Sequence, residues 1–174
     1  MIKELLKADK SVWKYICNTC FNYQHECECT GEHNFLGMDE HIIESIQILH
    51  SKRYQTVGCC EGHVSVSLGH KGGVHTSYFP FYISLDYHSL EDFKREFENN
   101  PEWEENGFAL IPSKELGGNN RYQLVYNKKI RAKGDKYDDF MAKKMDILKK
   151  LNILLNSLQV RAWGEDEKLI QTNY

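Results

Sequence analysis

The sequence predicts an α+β fold: a mixed or antiparallel sheet covered by helices on one side, with a zinc-knuckle-like module at its start. Three observations carry that expectation. Apolar residues recur at helical spacing in some segments and as short Tyr-, Phe- and Ile-rich runs in others, interleaved along the chain. Glycine and asparagine clusters punctuate those runs where hairpins would turn. Four cysteines, Cys17, Cys20, Cys27 and Cys29, crowd one short stretch near the beginning.

Residues 1–14 read as a short helix or arm. Val12, Trp13, Tyr15 and Ile16 then form a strand-like approach to the cysteines. A helix follows from Asp39, which can cap it, and Ile42, Ile43, Ile46 and Leu49 give it a buried stripe ending near Arg53. Thr56–Cys60, resuming at Val64–Leu68, and Ser77–Tyr87 read as strands around the flexible loop LGHKGGVH. Ser89 with Asp92 resembles a capping box, and Asn99-Asn100-Pro101 stops that helix. Phe108–Pro112 and Tyr122–Tyr126 read as strands joined by a turn at Gly117–Asn120. The last element is a helix over Tyr137–Leu158. Phe140, Met141, Lys144, Met145, Leu148, Leu151, Leu155 and Leu158 form its stripe, and a loosely ordered tail is expected after Trp163.

A chain of 174 residues, 41% hydrophobic and 27% charged, is long enough for one domain and an attached module. The expected division is 1–36, holding the cysteines, and 37–174, a single α+β domain. Net charge is −3, so no global field attracts nucleic acid. Locally, Glu91–Glu105 is acidic and Lys128–Lys150 is basic. Such runs are most often solvated helix faces, and the basic one is otherwise a patch for phosphates or an acidic partner. No apolar run approaches membrane-spanning length, and MIKELLKADK lacks the apolar core of a signal peptide. The expected compartment is the cytoplasm, with no membrane partner. Thiols stay reduced there, so six cysteines point to metal binding or catalysis rather than to disulfides.

Cys17, Cys20, Cys27 and Cys29 are spaced as C-x2-C, six residues, C-x-C. Two close thiol pairs on a short loop can surround one tetrahedral zinc, and four protein ligands make such a site structural. His25 and His33 flank the second pair and could replace a thiolate. An iron–sulfur cluster, or free thiols, would use the same residues.

The other concentrated chemistry is TVGCCEGHV, residues 56–64. Gly58 and Gly62 let the backbone bend and approach a ligand. Cys60 could be a nucleophile activated by histidine. Cys59 or Cys60 with His63, and His75, could hold a second metal with an open position. The turn could instead cradle a phosphate through backbone amides. The structural alternative is a strand whose Cys59 and Cys60 alternate in and out, with His63 closing the turn. His75 and His88 are candidates to converge on the same sheet edge.

Gly37-Met38-Asp39, a helix, Tyr54-Gln55-Thr56 and Cys59-Cys60-Glu61-Gly62-His63 together resemble a core pattern of the wybutosine-synthesising tRNA methyltransferase-like family. The resemblance spans residues 37–66 and matches that pattern at Asp39, Thr56, Cys60 and Gly62. It implies a helix-to-strand core and a nucleotide or RNA ligand. Taken with the chemistry of the 56–64 turn, the catalytic candidates are Cys60, His63 and Asp39 and the ligand-binding ones Thr56 and Gly62. Cys59, Glu61 and His63 stand where the family pattern has Ser, Ser and Arg, and histidine lacks arginine's bidentate grip on phosphate.

Three functions therefore compete. One is a zinc-binding protein with a nucleotide or RNA site at the Cys60–His63 turn, with Lys128–Lys150 meeting phosphates. Another is a non-catalytic interaction or inhibitor module, of the kind mobile elements carry, presenting Trp13, Phe21, Tyr23 or Trp103 to a protein partner. The third is a metal-dependent hydrolase with an open metal near residues 59–75.

Overall fold

The computed structural model describes residues 5–30, 33–69, 71–112, 122–128 and 130–162. Its first element, β1 (Leu5–Ala8), is a strand where a helix or arm was expected, and β2 (Trp13–Cys17) is the strand-like approach to the cysteines. Tertiary pairing overrides the weak local preference of LLKA. β3 (Phe35–Asp39) pairs antiparallel with β2, Trp13 opposite Asp39 and Cys17 opposite Phe35, so the cysteine loop is the tip of a hairpin. The expected boundary between residues 36 and 37 falls inside β3.

A short 3-10 turn, Glu40–Ile42, leads into α1 (Ile43–Ser51). Ile42, Ile43, Ile46 and Leu49 are buried, as their spacing predicts. Asp39 makes no capping hydrogen bond; its carboxylate is used elsewhere. β4 (Thr56–Cys60) and β5 (His63–Leu68) follow, then β6 (Val74–Phe79) and β7 (Tyr82–Leu85). The single strand expected over 77–87 is thus broken at Pro80-Phe81.

That break matches one in the neighbouring chain. β5 pairs with β6 and β4 with β7, His63 opposite Phe79 and Cys60 opposite Tyr82. The four strands are one long hairpin bent at a corner, and its two halves belong to different sheets. Gly62 occupies the corner at φ 80°, and an added Cβ would lie 2.6 Å from the Phe79 carbonyl oxygen and 2.7 Å from the Phe81 nitrogen. Only glycine fits both the dihedral and the space.

α2 (Tyr87–Asn99) stops before Asn100-Pro101 as expected. Its cap is Asp86, whose Oδ1 accepts the His88 N–H at 3.0 Å; Ser89 is one turn in, and its Oγ accepts the Gln55 N–H. α3 (Glu102–Glu105), β8 (Phe108–Pro112) and β9 (Tyr122–Tyr126) follow. β10 (Ile130–Lys133) was not foreseen; IRAK is short and half polar, and it gains its place by pairing with β6. α4 (Tyr137–Ser157) ends the described fold. The turn expected at 117–120 and the tail after Trp163 lie outside the described residues.

The architecture is α+β with antiparallel pairing. Instead of one sheet there are two of four strands, β1-β5-β6-β10 and β4-β7-β9-β8, plus the β2-β3 hairpin. Phe81, Ile83, Phe93, Phe108, Leu151 and Leu155 share one core cluster. Trp103, a candidate exposed aromatic, is 0% exposed and stacks on Phe97 at 5.6 Å. On α4 the stripe holds at Phe140, Leu148, Leu151, Leu155 and Leu158, but Met145 is 43% exposed and Ile147 and Leu154 are buried in addition. No helix among the described residues is long and apolar enough to cross a membrane.

Lys144 is the exception in that stripe. It is 0% exposed, and its ammonium donates to Asp9 Oδ2 at 2.8 Å and Glu61 Oε1 at 2.6 Å. Burial would lower its pKa, but the two carboxylates outweigh that and raise it. Burial would likewise raise Glu61; hydrogen bonds from Lys144 and the His41 backbone, then the neighbouring positive charges, hold it below the ordinary value. The remaining oxygens are occupied: Asp9 Oδ1 accepts the Val64 N–H at 2.9 Å, and Glu61 Oε2 accepts the His41 N–H at 3.0 Å. The triad ties α4, the link after β1 and the sheet corner together.

Lys144→Met keeps the volume but strands two buried carboxylates, and urea unfolding at neutral pH should show a loss of about 3–5 kcal/mol. The pH slopes should also oppose. In the wild type the lowered Glu61 pKa contributes stability above the unfolded carboxylate value and loses it as pH falls. The raised Lys144 pKa contributes below the unfolded lysine value and is lost as pH rises through the folded one. In Lys144→Met, mild acid should instead restore stability by protonating a carboxylate. Equal stability of the two proteins across this range would refute the assignment.

Candidate metal centres

The cysteine hairpin brings four sulfurs to one point. Cys17 ends β2, and the chain turns through Asn18-Thr19-Cys20 to Phe21, which takes φ 59°. The Thr19 N–H donates to Cys17 Sγ at 3.3 Å, and the Phe21 N–H to the Cys17 carbonyl at 3.0 Å. Asn18 fastens the other arm, its backbone to Asn34 O at 2.9 Å and its Oδ1 accepting the Asn34 N–H at 3.1 Å. All four ligand sulfurs lie within 4.8 Å of one another. Cys17–Cys29 and Cys20–Cys27 are each 3.9 Å apart. A tetrahedron with metal–sulfur bonds near 2.3 Å has edges of about 3.8 Å. The described cysteines are all free thiols, and the group fits a metal such as zinc.

The thiol electrostatics point the same way. Burial would raise Cys17, but the N–H groups of Cys20 and Thr19 outweigh it and hold the thiol near 6. Cys29 is pushed up to about 12, first by the hydrogen bond with Cys20 and then by burial. Four close sulfurs cannot all ionise until a cation shares their charge. Of the flanking histidines, His33 places Nε2 3.7 Å from Cys27 Sγ, whereas His25 turns away to Glu26, 3.6 Å distant. The knuckle is seated on α1: Phe21 stacks on His50 at 4.2 Å, and Gln47 Nε2 donates to Phe21 O at 2.9 Å.

The second centre lies at the sheet corner. Asp39, Cys60 and His63, from the ends of β3 and β4 and the start of β5, place one ligand atom each within 4.8 Å of the others. Cys60 Sγ is 3.3 Å from His63 Nε2. The other face of that imidazole meets Ser11 Oγ at 3.3 Å and Asp9 Oδ1 at 3.7 Å, so Asp9 links this ring to the Lys144 triad. Asp39 accepts the Glu61 N–H at 3.2 Å, which pins β3 to the corner. Burial first, and then Asp39, push the Cys60 thiol up against the lowering effect of the Gly62 N–H. Cys59 is pushed up to about 12, chiefly by burial, and packs against the core.

The remaining sequence candidates go elsewhere. Thr56 begins β4, about 13 Å of strand away from Cys60. Gly62 makes the bend and is packed from behind by the 79–81 backbone. His75 pairs with Ser67, near the opposite end of β5 from His63, and His88 sits in the first turn of α2; neither joins the group. The sequence reading missed Asp9, Ser11, His41 and the role of Lys144. The available signal was a lysine within an apolar stripe.

Beside the corner lies a cavity of about 340 Å³ between β3 and β4, lined by Trp13, Leu36, Met38, Asp39, Val57 and Gly58 among others. Comparison with protein-family models, curated proteins and solved structures finds no match for this chain.

Elemental analysis of protein prepared without chelators should find a metal that Cys17→Ser loses. Amide exchange should then speed up across β2 and β3 while β8 and β9 stay protected. A metal-free wild type, or uniform loss of protection across both sheets, would refute a local staple.

Proposed function

We propose that the chain is a zinc-braced metal-dependent hydrolase. The four-cysteine site holds a structural zinc, and Asp39, Cys60 and His63 hold a second metal at which substrate is cleaved. The observation that carries this reading is the convergence of those three different ligand types from three separate strands. Three protein ligands leave one tetrahedral position open, the arrangement of catalytic rather than structural zinc. A metal there lowers the pKa of a bound water and polarises an acyl or phosphoryl oxygen. Hydrolysis then places the water oxygen on the acyl or phosphoryl centre, and its proton on the leaving group.

The protein's own groups suit that role. The His63 ring is held from behind by Ser11 and Asp9, the outer-shell support that ligating histidines need. A plain Cys60–His63 nucleophile is the weaker account, because the Asp39 carboxylate lies against the same thiol and opposes a thiolate.

A nucleotide or RNA ligand at this corner is the second reading. It follows the resemblance to the wybutosine-synthesising family, and it is supported by Trp13, whose indole is 64% exposed at the cavity and offers a face for a base. The basic stretch supplies less free charge than its composition suggests. Lys144 is internal, Lys150 pairs with Asp146 at 2.8 Å and Lys136 with Asp139 at 3.7 Å.

The wild type should carry a second equivalent of zinc that Cys60→Ser and Asp39→Asn lose while keeping the first. Hydrolysis of p-nitrophenyl acetate should fall to background in both variants, and chelation followed by zinc should restore it in the wild type alone. A wild type whose zinc content is unchanged by Cys60→Ser would sink the hydrolase. RNA binding that weakens steeply with salt, and is lost in His63→Ala and Lys128→Glu, would favour the second reading.

A further inference from the structure

The cavity beside the corner carries its own chemistry. Among the described residues β3 pairs with β2 alone and β4 is the outer strand of its sheet, so both present unpaired backbone edges there. The cavity lies between them, and the Asp39–Glu61 hydrogen bond joins them at one end. Such edges are templates for another strand. Gly58, in the middle of β4, is open: a Cβ added there would meet no atom within 4 Å. A strand glycine with empty space over its face leaves room there for a side chain of an added strand. Val57 bulges out of register beside it and is half exposed.

The walls select for what enters. Trp13, Leu36 and Val57 are apolar and well exposed, and the Trp13 ring lies across Gly37, where a Cβ would come within 2.8 Å of it. Among the described residues no lysine or arginine lines the cavity, and the one charged group there is Asp39. A polyanion finds nothing to neutralise it there. A volume of about 340 Å³ is at the small end of ligand pockets, with room for one or two side chains rather than a folded surface.

We propose that this cleft receives an extended peptide segment, which adds as a strand to the free edge of β4 and sets an apolar side chain against Trp13. Alternate main-chain amides bond to β4, and the pocket reads the intervening side chain. The segment runs toward Asp39, at the Asp39–Cys60–His63 corner. As the substrate of that centre the peptide rests on the hydrolase reading; as a ligand of the cleft it stands without it.

The test is calorimetric titration with the capped peptide Ac-Gly-Val-Phe-Val-Gly-amide, using wild type and zinc-depleted Cys60→Ser. Binding should survive in Cys60→Ser, whereas cleavage, if the hydrolase reading holds, should not. Binding without cleavage by the wild type would remove the peptide as a substrate of the corner and uphold it as a ligand of the cleft. Methylating one alternate set of peptide nitrogens should weaken binding about tenfold and the other set should not, since each lost hydrogen bond to an edge strand is of that order. Gly58→Val and Trp13→Ala should each weaken it comparably, with unchanged thermal midpoints. No peptide binding, equal effects of the two methylation patterns, or full affinity in both variants would overturn the proposal. So would tight binding of oligouridylate competed by salt and blocked in Trp13→Ala, which would make the cleft a nucleic-acid site.

Discussion

One buried ammonium holds the sheet corner of this protein together. Lys144 reaches from the last helix to Asp9 and Glu61, and through them it fixes the backbone of Val64, the ring of His63 and the start of α1. Without a cation at that point, two acidic side chains would face each other in the interior, and the corner could not close around them. Hydrophobic packing explains why α4 lies where it does. The triad explains why the bend between the two sheets has a single shape.

The two cysteine-containing centres follow from different constraints. The hairpin loop has few apolar residues, and its order comes from side chains meeting around one point. The corner needs no metal to form: glycine at φ 80°, the bent hairpin and the ion triad already bring its three donors together. The corner offers three donors of different kinds, whereas the hairpin offers four thiols around one point on a loop already held by Asn18–Asn34 and Phe21–His50. The seating of Phe21 on His50 fixes the braced hairpin, and with it Trp13, as one wall of the cleft beside β4.

How much of this was legible in the sequence depended on the range of the forces involved. α4 was readable almost to the residue, because an apolar stripe over so many turns leaves one interpretation. So was the four-cysteine group, whose members are close along the chain. β1 was not, because LLKA is made of helix-favouring residues and becomes a strand by pairing with residues some sixty positions away. The corner's glycines and its Cys–Glu–His set stood out, but they read as a turn. That the chain instead passes from one sheet to another depends on Phe79–Tyr82, which bends in parallel with it. Asp39 looked like a helix cap and serves the corner instead. Asp9 gave no local sign, since its partner is 135 residues distant.

That separation bears on how the protein is made. A ribosome delivers Asp9, Asp39, Cys60, Glu61 and His63 long before it delivers Lys144. Until then the nascent chain has the donor atoms but not the clamp that gives them their mutual geometry. The four thiols of the hairpin emerge almost together, whereas the corner waits for Lys144. A chain stalled or clipped before α4 would therefore lack the ammonium that orders the corner while keeping the four thiols that lie close together along the hairpin.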